Sequence, residues 1–212
     1  RFLRALTRAG YQFQLLSLPG PGIDPEEAFE QLSIPGVNGI INSMKAPLAR
    51  PDRAKIRRLL EGCDLLHVQY PFFLAWAAIE EAKRMDIPVV CSFHVQPENI
   101  LENLRLSSRM LSKLLYHLFI RFIYQRADHV VAPSAFAATL LRKHGLEKPV
   151  SVISNGVPDR FFAVDRRERE GKRLLLSVGR LAREKQQETL LRAVAQSRYA
   201  RQLEIVLAGV GP

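Results

Sequence analysis

Short apolar runs alternate with helical patterns along most of the chain, and this alternation constrains the fold more than any other feature. The runs have the length of buried strands, and between them apolar residues recur at helical spacing. Such alternation favours parallel sheets with right-handed crossovers, so we expect an α/β, doubly wound fold. We predict strands at residues 13–18, 64–69, 87–93, 129–132, 150–153 and 174–178. We predict helices at 2–9, 51–61, 74–85, 134–144 and from about 190, and a loop followed by a long helix within 97–126.

The pattern breaks between residues 155 and 172, where polar and charged side chains dominate, and it restarts at Arg173. We therefore predict an N-terminal Rossmann-like domain at residues 1–154, a linker at 155–172, and the start of a second Rossmann-like domain at 173–212. The sequence begins inside a helical pattern and stops directly after a strand pattern. We expect a piece of a longer protein that lacks the first strand of one domain and most of the other.

Composition excludes several classes of protein. The chain has 212 residues, of which 47% are hydrophobic and 25% charged, and it has neither a membrane-spanning apolar run nor a secretory signal. Cys63 and Cys91 lie in or beside apolar runs, as reduced thiols of a cytoplasmic protein do. The net charge of +10 would suit phosphorylated ligands, anionic membranes or nucleic acid. Because no nucleic-acid-binding motif is present, we expect no nucleic-acid partner.

Two cations follow the predicted strand at 174–178. Gly179 ends the strand, Arg180 comes next, and Lys185 precedes the helical pattern. Ligands of parallel sheets bind outside the carboxyl ends of the strands. A guanidinium fork and an ammonium group beside a helix start suit a diphosphate. From these residues alone, a diphosphate site and two solvated loop charges are equally good interpretations.

Two histidines are associated with neighbouring strands. His94 follows the strand at 87–93, with polar Gln96, Glu98 and Asn99 nearby, while His67 lies on the strand at 64–69, close to Gln69. A histidine at such a position is as often structural as functional, and for His67 alone the structural interpretation is better. Ser134 has the position of a helix N-cap, and Gly145 that of a helix stop. Neither histidine, nor either cysteine, has metal-ligand spacing, so we predict chemistry without a metal or cofactor.

Residues 104–126 combine basic side chains with large apolar ones, without an acid among them. A helix of this composition can lie in an anionic membrane interface. A helix packed on the core, with a solvated basic face, is the commoner case. Both interpretations stay open.

The segment Gly179-Arg180-Leu181 followed by Glu184-Lys185 resembles the G-R-L-x-x-E-K motif of family-4 retaining glycosyltransferases, which have the two-domain GT-B fold. Gln186 stands where the family usually has glycine. Four further segments resemble the family: the H-x-H-x-P-F-like run at residues 67–72, the strand end at His94, which is similar to the family's F/Y-H-T segment, the N-G-V turn at 155–157 and the final G-x-G-P at 209–212.

The resemblance implies transfer of a hexose from a UDP- or GDP-linked sugar to a lipid or glycan acceptor, with retention of configuration and without a metal. It implies that Arg180 and Lys185 stabilise the leaving diphosphate and that His94 positions the sugar, these three being the catalytic residues. Gly179 and Asn155 would join the two cations on the donor side. The acceptor side would contain His67, Gln69 and Glu98.

In the family an acidic pair spaced as E-x7-E completes the donor site, and this chain stops before that pair, so we expect the fragment alone to be inactive. Some lipid-glycosylating members bind membranes through a basic N-terminal-domain helix. The resemblance therefore implies peripheral association with the inner face of the membrane through residues 104–126. The alternative is a non-catalytic membrane-surface or partner-binding module on the same scaffold.

Overall fold

The computed structural model describes residues 2–33, 48–103, 106, 108–163, 171–182 and 185–211. The chain divides into two compact units, residues 1–155 and 156–212. The described helices of the first unit are α1 (Phe2–Arg8), α2 (Arg53–Leu60), α3 (Phe73–Arg84), α4 (Pro97–Asn103), α5 (Arg109–Phe122) and α6 (Ala135–Lys143), and its strands are β1 (Leu66–Val68), β2 (Val89–Ser92), β3 (His129–Ala132) and β4 (Val150–Val152).

The four strands of the first unit form one parallel sheet in the order β1-β2-β3-β4. Each crossover moves one strand further in the same direction. Right-handed crossovers then place α3, α4 with α5, and α6 on a single face. The described sheet is thus wound in one direction, and the predicted α/β class with a parallel sheet is confirmed.

The register divides the strand residues between two chemically different faces. One face carries buried apolar side chains: Leu66, Val68, Val89, Cys91, Val130 and Ala132. Side chains from α3, α5 and α6 belong to the same core. The other face carries His67, Ser92, His129 and Ser151, which alternate across the sheet with Val90 and Val131. The strand residues that could carry chemistry are therefore kept away from the core.

Helix ends follow the sequence signals closely. Ser134 Oγ accepts a hydrogen bond from the backbone N–H of Ala137 at 3.2 Å, so the predicted N-cap of α6 is confirmed. Gly145 has φ 95°, a left-handed conformation that glycine adopts without strain, so the predicted helix stop is also confirmed. Asp52 caps α2 in the same way through the N–H of Lys55 at 3.0 Å. Local chemistry thus sets where the helices begin and end.

A buried carboxylate joins α2 to α3. Glu81 is fully buried and accepts hydrogen bonds from Arg53 at 2.7 Å, Arg57 at 2.9 Å and Arg84 at 2.6 Å. The hydrogen bond from Arg53, followed by that from Arg57, holds the pKa of Glu81 below its usual value despite burial. The carboxylate is therefore ionised at neutral pH and cross-links the two helices.

Two predictions of secondary structure are wrong. Residues 13–18 form no strand, because none of the described strands pairs with them. A backbone bond from Phe29 N–H to Ser17 O at 2.9 Å ties this segment to another described one. The loop expected from Pro97 is the short helix α4, whereas the long helix expected after it is present as α5. Residues 104, 105 and 107, within the range of that prediction, lie outside the described residues. Residues 34–47, and residues 164–170 of the predicted linker, also lie outside them.

The second unit contains β5 (Arg173–Val178), α7 (Gln187–Ala195) and β6 (Leu203–Ala208). The two strands pair in parallel along their whole length, from Arg173 beside Leu203 to Val178 beside Ala208. The strand–helix–strand pattern predicted after Arg173 is confirmed. This pattern brings the residues that follow β5 and those that follow β6 to the same edge of the sheet.

Candidate functional site

His94 lies just past the carboxyl end of β2, and its side chain is exposed. It borders a depression of about 210 Å³ whose other lining residues are Phe93, Gln96, Asn99, Pro133, Ser134 and Ala137. Buried Phe93 anchors the strand end through an N–H bond to Val131 O at 2.8 Å and an edge-to-face contact with Tyr124 at 5.7 Å. The floor beside His94 is thereby rigid, and its rim offers amide and hydroxyl groups.

His67 belongs to the same edge of the sheet. Its Nε2 lies 2.8 Å from Ser92 Oγ, and the side-chain nitrogen of Gln69 lies 3.1 Å from the same ring atom. Partial desolvation lowers the pKa of His67, and the nearby His94 lowers it further. At neutral pH His67 is therefore an uncharged imidazole with one acceptor nitrogen. The structure thus brings together His67, Gln69 and His94.

Glu98 is bound to side chains of α5, and its acceptor-side role stays a prediction. Its carboxylate accepts hydrogen bonds from Ser112 at 2.8 Å and from the Tyr116 hydroxyl at 2.9 Å, both on α5. Tyr116 is almost fully buried and stacks on His144 with ring centroids 3.9 Å apart. Burial raises the pKa of Tyr116, and the bond to Glu98 adds to it, so the phenol stays a donor. Glu98 thus ties α4 to α5, while Gln96 and Asn99 line the depression.

Ser134 is the lining residue that the sequence reasoning undervalued, since it was interpreted mainly as a helix cap. Its hydroxyl does cap α6, yet Ser134 also borders the depression beside His94. The signal was available in the order of the elements. Ser134 follows β3 and His94 follows β2, and neighbouring parallel strands bring their carboxyl ends together.

Gly179, Arg180 and Lys185 come together at the carboxyl end of β5 in the second unit. Both cationic residues are exposed. The Cε atom of Lys185 lies 3.9 Å from the point where a Cβ on Gly179 would stand, so the lysine stem passes over the glycine. Glu184 of the sequence motif lies outside the described residues. That these cations and His94 act on the same donor sugar stays a prediction.

Asn155 is the last residue of the first unit and is exposed. Its donor-side role also stays a prediction. Within the described ranges, no group of three or more His, Cys, Asp or Glu residues is arranged to hold a metal ion. In the same ranges, every helix is too short or too polar to cross a membrane.

Curated relatives are similar over much of the chain. An alpha-monoglucosyldiacylglycerol synthase of Streptococcus pneumoniae is 25% identical over 70% of this chain and 37% of its own length. A GDP-mannose-dependent alpha-mannosyltransferase of Corynebacterium glutamicum is 24% identical over 87% of this chain and 45% of its own length. A Mycolicibacterium smegmatis protein of the same name is 28% identical over 80% of this chain and 46% of its own length. The chain thus spans less than half the length of these relatives.

Among solved structures, one similar chain is a proposed UDP-N-acetylglucosamine 2-epimerase from Listeria monocytogenes. The TM-score is 0.39 at 16% identity, covering 81% of this chain and 50% of that one. At that TM-score the likeness decides nothing about the fold or the function.

The family model described as Glycosyltransferase Family 4 matches residues 1–161, which extend from the first residue through β4 and past the turn at Asn155. The match includes the strand ends that carry His67 and His94. The chain therefore belongs to Glycosyltransferase Family 4.

Proposed function

We propose that the full-length protein transfers a hexose from a UDP- or GDP-linked sugar to a lipid or glycan acceptor, with retention of configuration. The observation that carries this proposal is membership of the family. It is supported by the polar side chains at the strand ends of the first unit and the cationic ones at the strand end of the second. The relatives' names support a nucleotide-sugar donor, since two name GDP-mannose. They support a lipid acceptor as well, since one names a glucosylated diacylglycerol.

Arg180 and Lys185 are assigned to the donor side, with Gly179 and Asn155. Transfer replaces the bond from the anomeric carbon to a phosphate oxygen by a bond to an acceptor oxygen. The nucleoside diphosphate leaves with additional negative charge, and the acceptor hydroxyl releases its proton. Fixed cations beside that diphosphate stabilise the charge as it develops. The guanidinium can bind two oxygens at once, while the ammonium acts as a point charge. The proposal needs no metal ion.

His94 is assigned to the transferred sugar. The depression beside it offers the amides of Gln96 and Asn99 and the hydroxyl of Ser134, which can exchange hydrogen bonds with sugar or acceptor hydroxyls. Neutral His67 and Gln69 stand next to it on the acceptor side. Because the contacts of Glu98 are to α5, we give it a supporting place there.

Nucleotide release from UDP- and GDP-sugars by the full-length protein tests this function. Replacing both Arg180 and Lys185 by Ala should lower turnover by about 10²-fold or more, because two stabilising charges are lost. Arg192→Ala is the matched control, since Arg192 is an exposed arginine of the same unit that pairs with Glu188 on α7. Equal turnover of the double variant and the wild type would refute the donor assignment.

The outer face of α5 supports a second part of the proposal, peripheral binding to an anionic membrane on the cytoplasmic side. Apolar side chains at four-residue spacing are exposed along the whole helix: Met110 at 82%, Leu114 at 50%, Leu118 at 37% and Phe122 at 46%. Arg109, Lys113 and Arg121, each one residue earlier, form a basic stripe beside them. Each cation near an anionic surface contributes about 1 kcal/mol. Apolar and basic stripes side by side suit the boundary between acyl chains and headgroups.

Vesicle sedimentation tests the membrane proposal. Wild-type protein should bind phosphatidylglycerol vesicles and bind phosphatidylcholine vesicles less, with the difference shrinking in high salt. Leu114→Ser should weaken binding. Leu65→Ser is the matched control, because Leu65 is also 50% exposed but precedes β1. Equal binding to both kinds of vesicle, or equal effects of the two substitutions, would contradict the proposal.

The same measurements separate the enzyme from its alternative, a non-catalytic membrane-surface or partner-binding module. The exposed stripes of α5 favour that alternative as a second candidate. A full-length protein that binds anionic vesicles, yet releases no nucleotide from any UDP- or GDP-sugar in their presence, would support the module and refute the enzyme.

A further inference from the structure

The backbone on either side of Arg180 is hydrogen-bonded to the end of β6. The N–H of Gly179 donates to Ala208 O at 3.0 Å, and the N–H of Leu181 donates to Val210 O at 2.9 Å. The residues that flank Arg180 are therefore attached to a second segment of chain. An exposed loop residue between two such bonds has far less freedom than one on an open turn.

The two segments lie so close that side chains are excluded between them. A Cβ added to Gly209 would stand 1.8 Å from Gly179 O, and one added to Gly211 would stand 2.9 Å from Leu181 O. Contacts below 3.0 Å to backbone atoms cannot be relieved by rotating a side chain. Glycine at residues 209 and 211 is therefore what allows the segment after β6 to support the Arg180 loop.

A third contact comes from α7. The side-chain nitrogen of Gln187, the first residue of that helix, donates to Arg180 O at 2.8 Å. This bond and the bond from the Leu181 N–H hold the C=O and the N–H of one peptide group, the one that follows the Arg180 Cα, while the bond at Gly179 holds the backbone one peptide group before Arg180. The peptide plane after Arg180 is one of the two that set the direction in which its side chain leaves the backbone.

We propose that Gln187 is a positioning residue for Arg180, assisted by Gly209 and Gly211, and that it directs the guanidinium toward the second phosphate of the donor. This inference rests on the proposed function, since it assumes a nucleoside diphosphate beside Arg180. Misplacing a binding group by about 1 Å can cost up to about 10²-fold in rate. A binding group on an exposed loop depends most on neighbouring hydrogen bonds to hold its position.

The test compares Gln187→Met with Gln186→Met in the full-length protein. Methionine matches glutamine in length and helix propensity but cannot donate the bond. Gln186 is the neighbouring glutamine and makes no side-chain cap bond. Affinities are measured for UDP and UMP and for GDP and GMP, because a group that meets the second phosphate affects only the diphosphates.

We expect Gln187→Met to weaken diphosphate binding by roughly two- to tenfold, as for one lost hydrogen bond, and to leave monophosphate binding unchanged. Gln186→Met should change neither. Gly209→Ala should weaken diphosphate binding more strongly. Two results would overturn the positioning role alone. In one, the wild-type protein prefers diphosphates and Gln187→Met leaves that preference intact. In the other, Gln187→Met weakens diphosphate and monophosphate binding equally. A wild-type protein without that preference would overturn the proposed function with it.

Discussion

Ser92 Oγ lies 2.8 Å from His67 Nε2, which joins β2 to β1 beside the point where His94 leaves the sheet. An equivalent pair, Ser151 Oγ and His129 Nε2, also at 2.8 Å, joins β4 to β3 on the same face. The two pairs are alike in chemistry and differ in distance from the candidate site, so each serves as the control for the other.

Ser92→Ala and Ser151→Ala should each lower the free energy of unfolding by about 1 kcal/mol, because each removes one hydrogen bond to a histidine. Turnover should fall several-fold for Ser92→Ala, because His67 then loses its orientation next to His94. Ser151→Ala should leave turnover unchanged. Urea unfolding and steady-state rates of the full-length protein measure both effects, and parallel losses of turnover in the two variants would contradict the assignment of His67.

His67 should make the protein less stable as the pH falls. Its pKa is lowered in the folded protein, so the unfolded chain takes up the proton at higher pH than the folded one. The stability contributed by neutral His67 is complete above the unfolded pKa of about 6.5 and is lost as the pH falls through it toward the folded value. His67→Gln should therefore reduce the loss of unfolding free energy between pH 7.5 and pH 5.5.

The control for this pH dependence is His117→Gln, at an exposed histidine on α5. His144, whose pKa burial also lowers, stays in place in both variants. Identical pH dependence in His67→Gln and wild type would show that His67 is not kept neutral by the fold.

Glu98→Ala should destabilise the protein by about 1–3 kcal/mol, because the buried hydroxyl of Tyr116 loses its acceptor. Glu102→Ala, at an exposed acid on the same helix, should change stability by less than about 0.5 kcal/mol. In folded Glu98→Ala protein the acceptor KM should stay within a few-fold of wild type. An acceptor KM raised by about tenfold or more would instead support direct acceptor contact by Glu98, since buried polar contacts to substrate are worth at least that much.

Gln186→Gly should stabilise the protein by about 0.5–1 kcal/mol. Gln186 has φ 50°, a left-handed conformation that strains a residue with a Cβ and that glycine adopts freely. The gain is partly offset by the greater freedom of glycine in the unfolded chain. Asp86→Gly, at φ 55°, should gain less because aspartate tolerates this conformation better. Thermal or urea unfolding measures both, and destabilisation by Gln186→Gly would contradict the strain at this residue.

Sequence patterns located the strand ends well, because buried strands and helix caps are encoded locally. The placement of His94 after β2 and of Arg180 after β5, with Ser134 capping α6, follows from residues that are near each other in the chain. The same local reasoning placed a strand at residues 13–18. It failed there because a strand exists only where another strand pairs with it along its length.

Contacts between distant residues were beyond the sequence patterns. Arg84 is three residues from Glu81 on one helix, a spacing that sequence reasoning can read. Arg53 and Arg57 look like solvated helix charges, and nothing local shows that they converge on buried Glu81. The bonds from Ser112 and Tyr116 to Glu98 are equally non-local, and so is the bond from Gln187 to Arg180, since a turn must first bring the two together. Sequence reasoning could therefore nominate site residues but could not tell which of them are already engaged by their neighbours.

The near-contact between Gly209 and Gly179 limits how these two segments can diverge in descendants of this gene. Since even one methyl group at residue 209 would collide with a carbonyl 1.8 Å away, substitutions there should be purged unless the loop after β5 is rebuilt at the same time. The intervening Val210, whose side chain is 79% exposed, is free of that restriction, so adjacent codons should accumulate changes at very different rates.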